Sequence, residues 1–148
     1  MSRIDTDICV IGAGSGGLSV AAGAVQMGAR VVLIEGGEMG GDCLNAGCVP
    51  SKALIAAAKA AEAQRRGFRG VAGQEPQVDF AAVKDHVAAV IAEIAPVDSQ
   101  ERFEGLGCTV IRAMARFTAP DRVLAGAYEV RARRFVIATG SRPMVPPI

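Results

Sequence analysis

A glycine-rich turn near the start of the chain places the strongest constraint on its fold. Residues 7–11, Asp-Ile-Cys-Val-Ile, form a short apolar run typical of a buried parallel strand. The run leads directly into a G-x-G-x-x-G pattern through Gly12, Gly14 and Gly17. In such a turn, the first glycine permits the tight exit from the strand and the second lets a pyrophosphate approach the backbone. The third lets the following helix pack closely against the sheet.

The residues after this turn complete a strand–helix–strand unit. Residues 18–27 have a helical pattern rich in small residues and closed by Gly28, and residues 30–34 form a second apolar strand. The helix N-terminus offers unpaired N–H groups to phosphates. Glu35 follows 18 residues after Gly17, where its carboxylate can accept hydrogen bonds from ribose hydroxyls. The unit favours FAD or NAD over NADP. A glycine-rich turn without a ligand is the disfavoured alternative, because all the parts occur together.

Composition indicates one α/β domain and excludes several partners. The chain has 148 residues, of which 51% are apolar, and a formal net charge of +1 without a basic cluster, so nucleic acid is not an expected partner. Its apolar runs are far shorter than a membrane span, so no membrane association is expected. Residues 1–5 lead straight into a strand and leave no room for a signal peptide, which predicts a cytoplasmic protein. In the cytoplasm, a cysteine pair favours catalysis or metal binding over a structural disulfide.

Two cysteines, Cys43 and Cys48, lie five residues apart in the segment that follows. On an ideal helix this spacing separates the Cα atoms by about 8–9 Å, whereas a disulfide needs roughly 7 Å or less. The small or turn-tolerant residues 45–47, Asn-Ala-Gly, allow the backbone to distort until the sulfur atoms meet. A bridge across so short a loop adds little stability and is easily reduced. The spacing therefore predicts a redox-active pair.

The cysteine pair precedes a long helix. Pro50 suits a first helical turn, residues 51–66 are mostly strong helix formers, and Gly67 is the expected C-terminal glycine. Cys48 would lie near the helix N-terminus, where the helix dipole favours a thiolate. Lys52, one turn further on, can stabilise negative charge there.

A second helix follows a connection over residues 67–77. Asp79 is the predicted N-cap, and apolar residues at positions 80, 83, 87, 90, 91 and 94 define one helical face. Pro96 is expected to bend or end the helix, and residues 98–104 form another helical stretch. This region is interpreted as scaffold or dimer surface. His86, the single histidine, is interpreted as a solvated or half-buried helix position rather than a catalytic one.

The last third of the chain has the pattern of β-structure. Residues 108–112 begin it, and residues 115–117, 122–124 and 128–131 are predicted to be short antiparallel strands. Residues 134–138 form an apolar run that we expect to return to the parallel sheet, where the polar turn Thr139-Gly140-Ser141 would meet a nucleotide. Pro143, Pro146 and Pro147 predict a stiff exit.

Three motifs carry a resemblance to a known family. The glycine turn, the segment 40–52 (Gly-Gly-Asp-Cys-Leu-Asn-Ala-Gly-Cys-Val-Pro-Ser-Lys) and the segment 138–143 (Ala-Thr-Gly-Ser-Arg-Pro) resemble those of the FAD-dependent pyridine nucleotide–disulfide oxidoreductases. That family includes lipoamide dehydrogenase, glutathione reductase and mercuric reductase. Cys-Val-Pro-Ser-Lys and residues 94–103 are most similar to mercuric reductases and lipoamide dehydrogenase-like proteins. Asp42 departs from the threonine usual in the family, which puts a flavin contact from this side chain in doubt.

The resemblance implies a fold and a set of roles. The fold would be a Rossmann-like FAD-binding domain with a parallel sheet, flanking helices and a small antiparallel β-meander, with residues 1–148 as its N-terminal part. NAD(P)H would reduce FAD, which passes two electrons to the disulfide. Cys43 would be the interchange thiol facing substrate, Cys48 the charge-transfer thiolate against the flavin, and Lys52 a neighbour of the flavin's reactive nitrogen. The implied cofactor-binding residues are Gly12, Gly14, Ser15, Gly16, Gly17, Glu35, Gly36, Gly40, Gly41, Asp42, Cys48, Lys52, Ala115 (backbone, at the adenine), Thr139, Gly140 and Ser141.

Members of this family are several hundred residues long. A second dinucleotide domain, a returning FAD segment with a Gly-Asp motif and a dimerisation domain with a catalytic histidine have no counterpart among these 148 residues. The expectation is a fragment of a homodimeric enzyme that binds FAD weakly and does not turn over NAD(P)H alone. The final electron acceptor (a lipoyl group, a glutathione-like disulfide or Hg²⁺) and the choice between NADH and NADPH are left open.

Two alternatives also remain open from the residues. One is an FAD-binding oxidoreductase of another class, such as a monooxygenase or amine oxidase, in which the cysteines are incidental. The other is a non-enzymatic metal-binding module built on Cys43 and Cys48. A structural zinc site would need further ligands from Cys9, Cys108 or His86, and Cys9 lies in a predicted buried strand. Cys9 and Cys108 are better explained as small core residues.

Overall fold

A six-stranded mixed sheet forms the centre of the molecule. The computed structural model describes residues 2–142 and 144–148; the predictions that involve Met1 and Pro143 lie outside the described residues. The strands are β1 (Ser2–Ile11), β2 (Val31–Glu35), β3 (Thr109–Arg112), β4 (Ala115–Ala119), β5 (Arg122–Ala125) and β6 (Tyr128–Ile137). Their order across the sheet is β3-β2-β1-β6-β5-β4. The pairs β3–β2, β2–β1 and β1–β6 are parallel, whereas β6–β5 and β5–β4 are antiparallel. The predicted α/β class with a small antiparallel meander is confirmed.

The boundaries of the two long strands differ from the prediction. β1 begins at Ser2 rather than at residue 7, and residues 128–131 and 134–137 belong to one continuous strand, β6, rather than to two; the predicted residue Ala138 lies just beyond its end. One edge of β6 pairs with β1 along its whole length, while the first part of its other edge pairs with β5. The antiparallel pairing predicted for residues 128–131 and the return to the parallel sheet predicted for residues 134–138 therefore occur at the two edges of a single strand. The charged residues between them, such as Arg133 and Arg134, are exposed and leave the backbone pairing intact.

The helices are α1 (Ser15–Gln26), α2 (Gly41–Asn45), α3 (Cys48–Arg66), α4 (Phe80–Ile94) and α5 (Gln100–Gly105), with a 3₁₀ turn at Ala95–Asp98. α1 begins one turn earlier than predicted, because Gly14 is extended and serves as its N-cap. Gly67, at a φ of +63°, ends α3 as expected. Asp79 caps α4 by accepting from the N–H groups of Ala81 and Ala82, at 2.9 and 3.2 Å.

Side chains from the two faces of β1 enter two separate core clusters. Cys9 and Ile11 pack with Val32, Ile34 and the meander residues Val123 and Val130 on one side. On the other side, Val10 packs with Leu33, Leu18 and Ala21 of α1, Phe103 of α5, and Cys108. Both isolated cysteines are buried, in different clusters.

The α3–α4 pair forms an arm that is weakly attached to this core. Only Ala53 of α3 is buried, and α4, described over its whole length, has no buried residue. The predicted apolar face of α4 is present: positions 83, 87, 90, 91 and 94 are half-buried, although Phe80 is 58% exposed. His86 is exposed, which agrees with the predicted solvated position on a helix. Over residues 2–142 and 144–148, none of the helices has both the length and the apolar character that crossing a bilayer requires.

Candidate functional site

A crevice of about 620 Å³ opens at the carboxyl ends of β1, β2 and β6. This is the edge at which parallel sheets bind nucleotides. Its walls come from the glycine turn, the loop after β2, the start of α2, the β3–β4 connection and the segment after β6. The lining residues are Ile11, Gly12, Gly14, Ile34, Glu35, Gly36, Gly37, Glu38, Gly41, Asp42, Asn45, Ala113, Met114, Ala115, Ala138, Thr139, Gly140, Ser141 and Arg142.

Gly12 and Gly17 allow three backbone segments to meet beneath the crevice. Gly12 has a φ of +106°, and a Cβ there would lie 2.2 Å from the carbonyl oxygen of Ala138. A Cβ on Gly17 would lie 1.8 Å from the carbonyl oxygen of Gly12. A side chain at either position would clash with the backbone, so only glycine fits there. The geometry agrees with the predicted turn and packing functions of these glycines.

The N-terminus of α1 faces the crevice without a cap from its own N-cap residue. Gly14 has no side chain that could accept from the first N–H groups of the helix. Ser15 and Gly16, in the first turn, are both exposed. A Cβ on Gly14 would meet only the Cα of Gly41, at 3.8 Å, so the approach to this backbone is open. Unpaired N–H groups and the positive end of the helix dipole suit an anion such as a pyrophosphate.

Glu35 lies at the end of β2 and is half-buried. Its carboxylate contacts the glycine turn on one side and the loop after β2 on the other. One oxygen accepts from the N–H of Ala13 and the other from the N–H of Gly37, both at 2.6 Å. Each carboxylate oxygen can accept a further hydrogen bond, so these contacts leave acceptor capacity for a ribose hydroxyl. The structure adds a function that the sequence did not suggest: Glu35 links the glycine turn to the loop after β2.

The helix that carries the first cysteine packs directly on the glycine turn. Gly14 and Gly40 form a parallel bridge, and the Gly40 N–H donates to the Ala13 carbonyl at 2.9 Å. A Cβ on Gly41 would lie 2.6 Å from the Cα of Gly14. Backbone meets backbone at this point, so the start of α2 is held at the edge of the crevice.

The distortion predicted between the cysteines is present. α2 ends at Asn45 and α3 begins at Cys48, so the helical path is broken at Ala46 and Gly47. Asn45 fastens the short helix to its own loop by donating to the carbonyl oxygens of Gly41 and Met39, at 2.8 and 3.0 Å. The break brings the two cysteines close enough for the pKa of the Cys43 thiol to respond to Cys48, and both cysteines are free thiols.

The two cysteines differ in their electrostatic surroundings. The pKa of Cys43 is raised, first because its thiol donates to the Cys48 sulfur, and then by partial burial and the charge on Cys48. The N–H of Cys48 and the ammonium of Lys52 act in the opposite direction, and more weakly. The Cys43 thiol therefore holds its proton more tightly than an ordinary cysteine does. Cys48 is the first residue of α3, where the helix dipole favours negative charge.

Not all predicted site residues line the crevice. Those that do are Gly12, Gly14, Glu35, Gly36, Gly41, Asp42, Ala115, Thr139, Gly140 and Ser141. Gly17 is buried below the crevice and Gly40 is buried behind α2. Ser15 and Gly16 lie at the exposed start of α1, while Cys43, Cys48 and Lys52 lie beyond Asp42 at the α2–α3 break. The structure thus places ten of the predicted residues on the crevice wall and the others outside it, and their binding functions remain predictions.

Several residues of the crevice wall were not predicted from the sequence. Among them, Glu38 and Met114 are the side chains that project from exposed loops, and Arg142 follows the polar turn after β6. Glu38 and Arg142 each lie within three residues of a predicted site residue and could have been included on that ground. Met114 lies next to Ala115, another predicted site residue, so the same proximity applies to it, although no motif includes it.

A mixed sheet with four parallel strands, a glycine turn and a cysteine pair at the carboxyl edge of those strands define an α/β protein with a dithiol beside a crevice suited to a nucleotide. The family model described as "Pyridine nucleotide-disulphide oxidoreductase" matches residues 6–148. The chain belongs to the pyridine nucleotide–disulfide oxidoreductase family, which is a family of enzymes. This assignment displaces the alternative of another flavoprotein class with incidental cysteines.

Individual relatives agree with this assignment. The chain is 36% identical over 149 residues to a dihydrolipoyl dehydrogenase of Geobacillus stearothermophilus (97% of this chain, 32% of that protein). It is 36% identical over 149 residues to a mercuric reductase of Shewanella putrefaciens (95% and 27%) and 35% identical over 154 residues to a glutathione reductase of Burkholderia cepacia (100% and 33%). The chain thus spans a third or less of the length of these relatives.

Solved structures give the same fold. The structure titled "Cu(II) complex of HOCl-induced flavoprotein disulfide reductase RclA from Escherichia coli" superposes with a TM-score of 0.78 at 25% identity. The match covers 96% of this chain and 29% of that chain.

Proposed function

We propose that this chain supplies the FAD crevice and the redox-active cysteine pair of a flavoprotein that transfers electrons from NAD(P)H to a disulfide or to Hg²⁺. The observation that carries the proposal is the backbone contact between Gly14 and Gly41. It joins a turn suited to a pyrophosphate to the helix that presents Cys43. A dithiol placed beside a dinucleotide crevice can exchange electrons with a cofactor held there.

The residues of the crevice fit FAD. The uncapped start of α1 would hold the pyrophosphate, and Glu35 would accept from a ribose hydroxyl. FAD, when bound, would supply two-electron transfer between a reduced nicotinamide and the sulfur pair. Lys52 contributes positive charge near the cysteines, as its lowering effect on the pKa of Cys43 indicates.

The electrons and protons of the proposed reaction can be accounted for with Cys43 and Cys48 alone. Two electrons and two protons convert a Cys43–Cys48 disulfide to the dithiol. When the dithiol reduces a substrate disulfide, one thiolate attacks a substrate sulfur, the second resolves the mixed disulfide, and the substrate leaves as two thiols. With Hg²⁺ as acceptor, the same two electrons would yield the metal. We assign interchange with substrate to Cys43 and the flavin side to Cys48.

The remaining expectations belong to the whole protein. A homodimer, a cytoplasmic location, and the absence of nucleic-acid and membrane partners stay predictions. The relatives' names include a dihydrolipoyl dehydrogenase, a mercuric reductase and a glutathione reductase at nearly equal identity. The proposal therefore extends to the class of acceptor and not to one member of it.

Titration of the chain with FAD, followed by flavin fluorescence, tests the proposal. We expect saturable binding of one FAD per chain. Gly14→Ala should weaken that binding about tenfold or more. The new methyl group contacts protein at no less than 3.8 Å, so the folded chain accommodates it, but it occupies the path of the pyrophosphate.

Gly23→Ala is the matched control. Gly23 lies on the same helix, and a Cβ there would meet nothing within 4 Å. It should leave FAD affinity unchanged. Wild-type chain that binds no FAD, or a Gly14→Ala chain that binds FAD as wild type does, would refute the proposed crevice.

A further inference from the structure

We propose that Met114 is a cofactor-binding residue whose thioether covers the adenine base of the dinucleotide, and that Gly36 is the residue that makes room for it. The inference rests on the proposed function and specifies one end of the crevice. The resemblance includes Gly36 among the implied cofactor-binding residues, whereas no motif of the sequence assigns a function to Met114.

The geometry pairs these two residues closely. A Cβ on Gly36 would lie 2.3 Å from the Sδ of Met114, 3.2 Å from its Cγ and 3.4 Å from its Cα. The Met114 side chain therefore occupies the space that any side chain at position 36 would need. Both residues line the crevice, directly after β2 and after β3.

The backbone beneath the thioether is fixed from two sides. The Glu35 carboxylate accepts from the Gly37 N–H at 2.6 Å, and the Arg112 guanidinium donates to the Gly37 carbonyl oxygen. Glu35 and Arg112 are themselves register partners in the β2–β3 pair. The loop is thus a firm support, while the methionine above it is flexible and 79% exposed.

The chemistry of this corner suits a purine. Glu35 offers a ribose acceptor, and the Ala115 backbone stands next to Met114 in the same wall. A methionine beside a ribose site can lay its polarizable sulfur against an aromatic ring, which is a favourable contact. A single exposed methionine is ordinary on a protein surface. Met114 instead occupies the space beside Gly36 within the crevice, and from this position its side chain can contact a bound nucleotide.

Titration of three variants with FAD and with ADP tests the inference. Met114→Ala should weaken both ligands by roughly three- to tenfold, because both contain adenine. Met114→Leu, which keeps an apolar side chain of similar size, should retain most of the affinity. Gly36→Ala should weaken both ligands as well, because it displaces the Met114 side chain without removing it. Met27→Ala, at a methionine that is 90% exposed at the end of α1, is the control and should change neither affinity.

Oxidation by hydrogen peroxide gives a readout that a purely structural role would not produce. Peroxide transfers one oxygen atom to a methionine sulfur, yielding the sulfoxide and water. Saturating ADP should slow sulfoxide formation at Met114 several-fold and leave Met27 unaffected, as peptide mass spectrometry would show. Equal rates at Met114 with and without ADP, or Met114→Ala with wild-type affinity, would overturn the inference alone. Wild-type chain that binds neither FAD nor ADP would instead overturn the proposed function.

Discussion

Gly17 is the residue at which α1 approaches the glycine turn most closely. Gly17→Ala would place a methyl group 1.8 Å from the carbonyl oxygen of Gly12, which only a backbone shift could relieve. We expect a loss of about 2–3 kcal/mol in the free energy of unfolding. Gly23→Ala, in the same helix with open space around it, should instead stabilise by about 0.5–1 kcal/mol.

Urea denaturation monitored by circular dichroism would compare the two variants. Equal stability of Gly17→Ala and wild type would mean that α1 does not pack against the turn as described. The same comparison separates the packing function of Gly17 from the open position of Gly14, at which alanine should affect the ligand and not the fold.

Asp7 gives the chain a pH dependence in the acid range. Its carboxylate accepts from the backbone N–H, Nε and Nη2 of Arg30, at 3.0, 3.1 and 3.2 Å, and this pairing lowers its pKa to about 2. The pKa in the folded state lies below the value of about 4 expected in the unfolded chain. The stabilisation is therefore fully present above about pH 4 and is lost as the pH falls towards 2.

Asp7→Asn should remove this part of the pH dependence. Urea midpoints measured between pH 2 and 6 should rise more steeply with pH for wild type than for the variant. Arg30→Gln, which removes the guanidinium but keeps the backbone donor, should have an intermediate slope. Parallel curves for wild type and Asp7→Asn would show that the carboxylate is not paired in solution.

At the scale of elements, the break between α2 and α3 determines how the thiols titrate. The hydrogen bond to Cys48 raises the pKa of Cys43, so Cys48→Ala should lower that pKa towards its ordinary value. Lys52→Met removes a nearby positive charge and should raise it further. Alanine is preferred to serine at position 48, because a hydroxyl could preserve the hydrogen bond.

Iodoacetamide labelling of the reduced chain at several pH values, with each cysteine quantified by peptide mass, would measure these shifts. At pH 8, Cys43 should be labelled several-fold faster in Cys48→Ala and more slowly in Lys52→Met than in wild type. Cys9, whose pKa burial raises to about 12, serves as the internal reference. Identical profiles for Cys43 in wild type and Cys48→Ala would show that the sulfur atoms do not interact.

Elements with local signals were the predictable ones. The Asp79 cap, the half-buried face of α4 and the end of α3 at Gly67 each follow from residues within a few positions of one another. The continuity of β6 could not be obtained in this way. It depends on two different partner strands, and one of them, β1, lies more than a hundred residues earlier in the chain.

At the scale of the molecule, the crevice was predictable in part. The glycine turn, Glu35 and the polar turn after β6 carry local patterns, and the sheet brings them to one edge. The approach of the Met114 side chain to Gly36 and the second function of Glu35 were not predictable, since both depend on loops that meet only in the folded chain. The contact between Met114 and Gly36 joins residues that are far apart in sequence and have no shared motif.

The two core clusters also bear on the metal-binding alternative. Cys9 and Cys108 are buried in different clusters, while Cys43 and Cys48 lie together at the α2–α3 break. Within the described part of the chain, no three side chains of the types that bind metals are grouped closely enough to hold an ion.

A redox titration of the four cysteines tests the central claim most directly. The chain would be equilibrated with mixtures of reduced and oxidised dithiothreitol, the thiols blocked by alkylation, and each cysteine quantified by peptide mass. We predict that Cys43 and Cys48 convert together, as one intramolecular two-electron couple, while Cys9 and Cys108 remain thiols throughout. The account would be contradicted if Cys43 and Cys48 were alkylated independently of each other at every ratio of reduced to oxidised dithiothreitol. It would also be contradicted if either of them formed a disulfide with another cysteine.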